Sequence, residues 1–254
     1  SLSLLTNLTN LNCGFYNTNF TDKSLSLLTN LTHLVCCHNV NFTDKSLSLL
    51  TNLTRLKWGS NFTDKSLSLL TNLTHLVCCH NVNFTDKGLS SLTNLTSFTL
   101  KGKHNFTDTG LSSLTNLTIL NLICDSNFTD EGLSSLTNLT RLQLTRHHKF
   151  TDKCLIPLLK LTVLSDMDHF TDVGLSFLPN LTTLVCEDNF TDVGLSYVPK
   201  LTSLVCHSNT TFTDKGLSFL PNLTILNYSS NTNFTNKGIS KLTNLTRTWG
   251  HQYV

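Results

Sequence analysis

Apolar and polar positions along the chain follow a pattern that restarts every 20 or 22 residues. Phe-Thr recurs at Phe20, Phe42, Phe62, Phe84, Phe106, Phe128, Phe150, Phe170, Phe190, Phe212 and Phe234. Asp follows in ten of these eleven copies, and Asn236 takes its place in the last. One half of each copy, such as Leu95-Thr-Ser-Phe98-Thr-Leu100, ends in alternation, the signature of a short strand with one buried face. The other half, such as Phe106-Thr-Asp-Thr-Gly-Leu111-Ser-Ser-Leu114, places leucines three apart, on one face of a single helical turn. Thr107 and Asp108 suit the start of that turn, as a hydroxyl cap followed by a carboxylate at the positive end of the dipole.

Neither half can bury its apolar face within its own copy, and so short a helix is not stable alone. Neighbouring copies must therefore stack and share one core, with the eleven phenylalanines forming an internal column. The small residue at Ser24, Ser46, Ser66, Gly88, Gly110, Gly132, Cys154, Gly174, Gly194, Gly216 and Gly238 is expected to let adjacent helical turns approach closely. Residues 19–45 and 61–87 are identical, which marks a duplication within the array.

Strand, turn, short helix and turn in about 22 residues resembles the leucine-rich repeat. Leu31-Thr-His-Leu34-Val-Cys36-Cys-His-Asn39 matches L-x-x-L-x-L-x-x-N, with Cys at the third apolar place. The F-T-D-x-G-L-x-x-L half is similar to I-T-D-x-G-L-x-x-L. That variant resembles the cysteine-containing repeats of F-box substrate receptors and some bacterial effector repeats. The resemblance spans about Leu2 to Leu245. It implies an α/β leucine-rich-repeat solenoid, a curved arc with a parallel sheet on the concave face and short helical turns on the convex face. It also implies an asparagine ladder after the strands, at Asn39, Asn61, Asn81, Asn189, Asn209 and Asn231, interrupted by Lys103, Asp125, His147 and His169. The expected organisation is one domain over residues 1–254, of about eleven units, open at both ends. The unit 150–169 departs most, with Pro157 in its helical half and Asp166 at an inward place, where a bend is expected to expose the carboxylate.

Composition narrows the functions. Net charge is +2, with 13% charged residues, which gives no electrostatic case for nucleic acid or a membrane surface. Nine cysteines make an odd number, and Cys13, Cys36, Cys78, Cys186 and Cys206 stand at inward strand places as small hydrophobes. Reduced thiols and a cytoplasmic setting follow from that placement. Against it stand twenty Asn-x-Ser/Thr sequons, two in nearly every copy, which keep a secreted or surface-displayed protein as the alternative.

His33, Cys37 and His38, copied as His75, Cys79 and His80, have the residue types of a metal site. Along a strand, however, the third and seventh places lie about 13 Å apart, and the copied set is about 10 Å away across two strand spacings. They read as duplicated surface residues, and no metal or other cofactor is expected. No nucleophile elbow, paired Cys-His or phosphate-cradling loop is present, so no catalytic residue is assigned.

The outward strand places vary while the core stays constant. They contribute His33, Arg55, Lys57, His75, Lys101, Arg141 and Arg146, then Asp168, Glu187 and Asp188. These ten are the candidate partner-binding residues, a mildly basic stretch beside an acidic one. Trp249 is placed on the same face and Trp58 inward. The expected function is non-enzymatic binding of a protein partner, with substrate recognition in ubiquitin ligation suggested by the resemblance. The alternatives are an assembly component that self-associates through uncapped ends, and a pathogen or viral effector that mimics host repeats.

Overall fold

The computed structural model describes residues 4–13, 20–37, 41–59, 62–125, 128–145, 149–165, 170–207, 209–229 and 231–250. Arg146, Asp166 and Asp168 fall outside the described residues, as do His38, Asn39, Asn61, His147 and His169. The chain divides into two compact units, 1–136 and 137–254, built from the same repeat.

The first unit carries strands β1 (Asn10–Asn12), β2 (His33–Cys36), β3 (Arg55–Trp58), β4 (His75–Asn81), β5 (Ser97–His104) and β6 (Ile119–Ile123). Helical turns α1 (Asp22–Leu25), α2 (Asp44–Leu47), α3 (Asp64–Leu67), α4 (Asp86–Leu89), α5 (Asp108–Ser112) and α6 (Asp130–Leu133) alternate with them. The second unit carries β7 (Arg141–Thr145), β8 (Val163–Ser165), β9 (Thr183–Cys186), β10 (Ser203–Cys206), β11 (Ile225–Asn227) and β12 (Arg247–Trp249). Between those strands lie α7 (Asp172–Ser176), α8 (Asp192–Ser196), α9 (Asp214–Leu217) and α10 (Asn236–Ile239). In the Pro157 repeat a 3-10 turn, Asp152–Leu155, replaces the α-helical one. Within each unit the strands pair in parallel and in sequence order.

The shared core follows from register. Leu34, Leu56, Leu76, Phe98 and Leu120 line up across five strands, and all are buried. Ten of the eleven anchor phenylalanines are buried as well, and Phe20 is half-buried. Trp58 takes an inward place and packs edge-on against Phe84 at 4.9 Å between ring centroids. The five inward cysteines are buried, so they do fill the places of leucines.

Polar residues join the repeats through recurrent hydrogen bonds. At the entries of β2 to β6 and of β8 to β12 one threonine carbonyl serves three donors. Thr32 N–H, Thr32 Oγ1–H and His33 N–H all reach the Thr9 carbonyl, at 2.8, 3.1 and 3.0 Å. The N-L-T asparagines Asn30, Asn52, Asn72, Asn94 and Asn116 in the first unit, and Asn180, Asn222 and Asn244 in the second, donate to the preceding repeat, as Asn52 does to the Thr29 carbonyl at 3.0 Å. Every residue of that motif is thus used structurally. Asn52 bridges repeats, Leu53 is buried, and Thr54 joins the threonine ladder. Satisfying backbone groups at each bend is obligatory, so such ladders are expected wherever the chain turns away from its strand.

The helical turns show a link that a capping role alone does not supply. Thr107 Oγ1 caps α5 by accepting from Thr109 N–H at 3.3 Å. The same hydroxyl donates to Asp86 Oδ2, one repeat earlier, at 2.5 Å, while Thr107 N–H donates to Asp86 Oδ1 at 2.8 Å. The pattern runs from Asp22–Thr43 to Asp108–Thr129 in the first unit and from Asp152–Thr171 to Asp214–Thr235 in the second. The small residue two places past the aspartate faces this carboxylate. A Cβ at Gly110 would lie 2.2 Å from Asp86 Oδ1. Close approach of helical turns is therefore only part of its role, because the nearest neighbour is the preceding aspartate side chain. Where serine stands instead, as at Ser46, its hydroxyl donates to that carboxylate, here Asp22 Oδ1 at 2.5 Å.

The asparagine ladder forms at the last residue of β4, Asn81, and after the strands at Asn209 and Asn231. Asn81 Nδ2 donates to the Phe62 carbonyl at 3.2 Å, and its Oδ1 accepts from Asn83 N–H at 2.7 Å. Lys103 does not simply interrupt that ladder. The strand pairing shifts between Cys79 and Asn81, so that Asn81 pairs with His104. Gly102, at φ +71°, absorbs the extra residue in β5. His104 Nδ1 then accepts from Phe106 N–H at 3.2 Å, the role Asn81 Oδ1 plays one repeat earlier.

Candidate functional site

The outward face of the first unit is read by register. His33, Arg55 and His75 lie side by side on β2, β3 and β4, with Lys57 two residues further along β3. Lys101 pairs with Cys79. Arg55, Lys57 and Lys101 are exposed, and the two histidines are half-buried. The structure therefore brings five of the ten candidate residues onto one face of one unit. The outward residues of β2 to β6 include no carboxylate.

The histidines are held in place from the threonine ladder. Thr74 Oγ1 donates to the Thr54 carbonyl, so the oxygen lies open to a donor from His75 Nδ1 at 2.9 Å. That arrangement leaves His75 Nε2 as an acceptor. Burial, then the charges of Arg55 and His33, pull the His75 pKa below the ordinary histidine value.

In the second unit, Arg141 is exposed on β7, while Glu187 and Asp188 are exposed just after β9. Asp188 is partly committed, because its Oδ1 accepts from Thr210 N–H at 2.6 Å and from the Thr210 hydroxyl at 3.1 Å. The acidic candidates therefore differ from one another: Asp188 braces a turn, whereas among the described residues no such bond involves the Glu187 carboxylate. Trp249, half-exposed, pairs with Asn227 at the outward place of β12, on the expected face.

Burial sets the thiol chemistry. It raises Cys13 to about 11 and Cys206 to about 12, and moves Cys36, Cys78 and Cys186 upward too. These groups stay protonated and inert at neutral pH. Cys37 and Cys79 are half-exposed on the outward face, and burial still raises the Cys79 thiol above the ordinary cysteine value. Among the described residues, no group of three or more His, Cys, Asp and Glu side chains converges as a metal site.

Two features of this face escape a reading by strand place alone. One is Gly59, just past the end of β3, where the Cys37 carbonyl oxygen would lie 2.3 Å from a Cβ and so excludes a side chain. The other is His104, stacked on Phe128 at 5.2 Å and on Phe106 at 5.7 Å between centroids. The only sequence signal for either is a residue type that breaks the repeat consensus.

An internalin (InlF) from Listeria monocytogenes superposes with a TM-score of 0.73 at 26% identity, over 99% of this chain and 76% of that one. Internalin C2 from the same organism gives 0.60 at 27% identity, over 73% and 84%. The Leptospira interrogans leucine-rich-repeat protein LIC12759 gives 0.62 at 19% identity, over 98% and 79%, a likeness of fold. This chain has the leucine-rich-repeat fold. No family model matches it, and no curated protein does. The functional domain of InlJ from Listeria monocytogenes, which includes a cysteine ladder, gives a TM-score of 0.66 at 23% identity, over 99% of this chain and 60% of that one. In this chain the inward cysteines align only in part: Cys186 pairs with Cys206, whereas Trp58 separates Cys36 from Cys78.

Proposed function

We propose that this leucine-rich repeat protein is a non-enzymatic binding module that takes a protein partner on its sheet face. The first unit would receive an acidic segment of that partner. The observation that carries this reading is the in-register set His33, Arg55, Lys57, His75 and Lys101 on a face whose strand residues include no carboxylate. Complementary charge steers association and makes it sensitive to salt. Glu187 in the second unit would be open to a basic group of a partner.

A short fluorescent oligoglutamate peptide tests the basic face directly. Arg55→Glu with Lys57→Glu should weaken its binding at least tenfold at low salt, with Glu187→Lys unchanged. Equal binding by the wild type and the double variant would remove the basic face from the proposal. Substrate recognition in ubiquitin ligation is one use of such a module, and an F-box in the full reading frame would support it.

Self-association is the second reading, favoured by one observation. Leu27, Leu49 and Leu69 stand at the same place of three successive helical turns and are each about half exposed, at 49, 50 and 49%. Sedimentation over a concentration series would reveal it. We place the protein in a reducing compartment, on the strength of nine free thiols, seven of them buried. The structural roles of the N-L-T asparagines explain the sequons without glycosylation.

A further inference from the structure

Strand register sets three residues in one row across the first unit. His33 pairs with Arg55 and Arg55 with His75, so the guanidinium-bearing strand lies between two imidazole-bearing ones. Strand spacing puts the outer two Cα atoms about 9.6 Å apart. Both histidines are held in the same way. Thr32 Oγ1 donates to the Thr9 carbonyl at 3.1 Å and lies 2.8 Å from His33 Nδ1. Thr74 Oγ1 donates to the Thr54 carbonyl at 3.1 Å and lies 2.9 Å from His75 Nδ1. A hydroxyl has one proton, here given to the carbonyl, so each oxygen accepts from the imidazole. The proton of each neutral ring is thereby fixed on Nδ1, and Nε2 keeps the lone pair that can take a second.

We propose that His33, Arg55 and His75 form a proton-coupled docking row for an acidic peptide segment, in which each imidazole takes up a proton from solvent as the carboxylates bind. This regulation rests on the reading of the face as a site for an acidic segment of a partner. In the neutral rings, two lone pairs beside the guanidinium repel a carboxylate. Protonation turns each Nε2 into a charged donor, and Arg55 then has a donor on either side.

The charged and titratable groups around the row are Lys57, Lys101, Cys37 and Cys79, and the outward residues of β2 to β6 supply no carboxylate. Nothing on those strands therefore holds a second proton on the rings before a partner arrives. Burial, then the charges of Arg55 and His33, keep the His75 pKa below the ordinary histidine value in the free protein. Carboxylates brought by a partner reverse that balance, because an opposite charge close by favours the protonated ring. Three positive groups spread over about 9.6 Å exceed what one carboxylate can reach, so the row fits successive acidic side chains rather than a lone anion.

The test uses the full chain at fixed ionic strength and a fluorescent hexa-aspartate peptide, whose carboxylates, with a pKa of about 3.9, stay ionised throughout. The wild type should bind it about fivefold or more tighter at pH 6 than at pH 8, with net proton uptake in calorimetry across buffers of different ionisation enthalpy. His33→Gln with His75→Gln should bind with nearly equal affinity at both pH values and take up no proton, with circular dichroism unchanged. His207→Gln, in the second unit, should keep the wild-type dependence. Equal wild-type affinity at both pH values, or an unchanged dependence in the double glutamine variant, overturns the proton coupling even where Arg55→Glu with Lys57→Glu still weakens binding. Equal binding by that glutamate variant removes the acidic-segment reading itself. Affinity for the peptide no greater than for acetate, used as competitor, also overturns the proposal, since a lone anion would then occupy the row.

Discussion

The carboxylate of Asp86 accepts both the backbone N–H and the hydroxyl of Thr107, which stands one repeat later in the chain, at 2.8 and 2.5 Å. The first residue of one helical turn thereby fixes the cap of the next. Two donors on one anionic acceptor form a charge-assisted pair, stronger than two neutral bonds. In a stack of repeats, stability is close to a sum of unit terms and nearest-neighbour terms, and this pair belongs to the second kind.

Asp86→Ala should therefore lower stability by about 1–2 kcal/mol, the lower part of the charged hydrogen-bond range because the pair is partly exposed. Urea unfolding followed by circular dichroism would show a lower midpoint. Thr107→Val, which removes the hydroxyl and keeps the backbone donor, should cost less than Asp86→Ala. An equal cost would mean that the backbone N–H bond contributes nothing.

The residue facing that carboxylate gives a second expectation. Serine occupies the place at Ser46 and Ser66 and hydrogen-bonds the preceding aspartate in both cases. Gly110→Ser should consequently be tolerated within about 1 kcal/mol, whereas Gly110→Val, with no donor and a branched Cβ, should cost about 1–3 kcal/mol through overpacking. Thermal midpoints of the two variants, measured side by side, check the order.

Acid stability has a predictable sign at Asp22. Burial raises its pKa, but hydrogen bonds from Ser46 and Thr43, with the charge of Lys45, outweigh that and leave it below the ordinary carboxylate value. A group depressed in the folded state contributes its stability in full above its unfolded pKa of about 3.9 and loses it as pH falls through the folded value. Ser46→Ala should raise the folded pKa and bring the loss to higher pH. Urea midpoints between pH 5 and pH 2 should separate the variant from the wild type.

His104 has the opposite charge chemistry and a higher window. Burial lowers its pKa, with Asp86 opposing, while the ring lies between Phe106 and Phe128. The unfolded chain binds a proton more readily, so this contribution is complete above about pH 6.5 and declines as pH falls through the folded value. The wild type should lose stability between pH 8 and pH 5, and His104→Asn should lose less over the same interval. A parallel decline in both proteins would show that His104 is not the titrating group.

The same residue shows where sequence reasoning stops. Lys103 occupies the asparagine place by counting, yet a one-residue shift at Gly102 hands that role to His104. Such a shift depends on backbone conformation, and counting residues does not detect it. The strands, helical turns, buried phenylalanines and inward cysteines were legible, because each follows from a period of two or three in apolar positions. Thr107 and Asp108 were legible only as helix starters. The reach from each aspartate to the next repeat was not, because its partner lies 21 residues away for Asp86. On the candidate face, His33, Arg55, Lys57, His75 and Lys101 were all identifiable by strand place. The engagement of Asp188 with Thr210 and the close approach of the Cys37 carbonyl to Gly59 were not.

Periodicity by itself determined that this chain must stack copies of a strand and a helical turn, because no single copy can remove its own leucines and phenylalanine from water. Tertiary structure alone decided which polar groups meet across those copies. Hydrogen bonds need atoms placed within a few tenths of an ångström, whereas burial needs only a face, and so Asp86 finds Thr107 only once the backbone is folded.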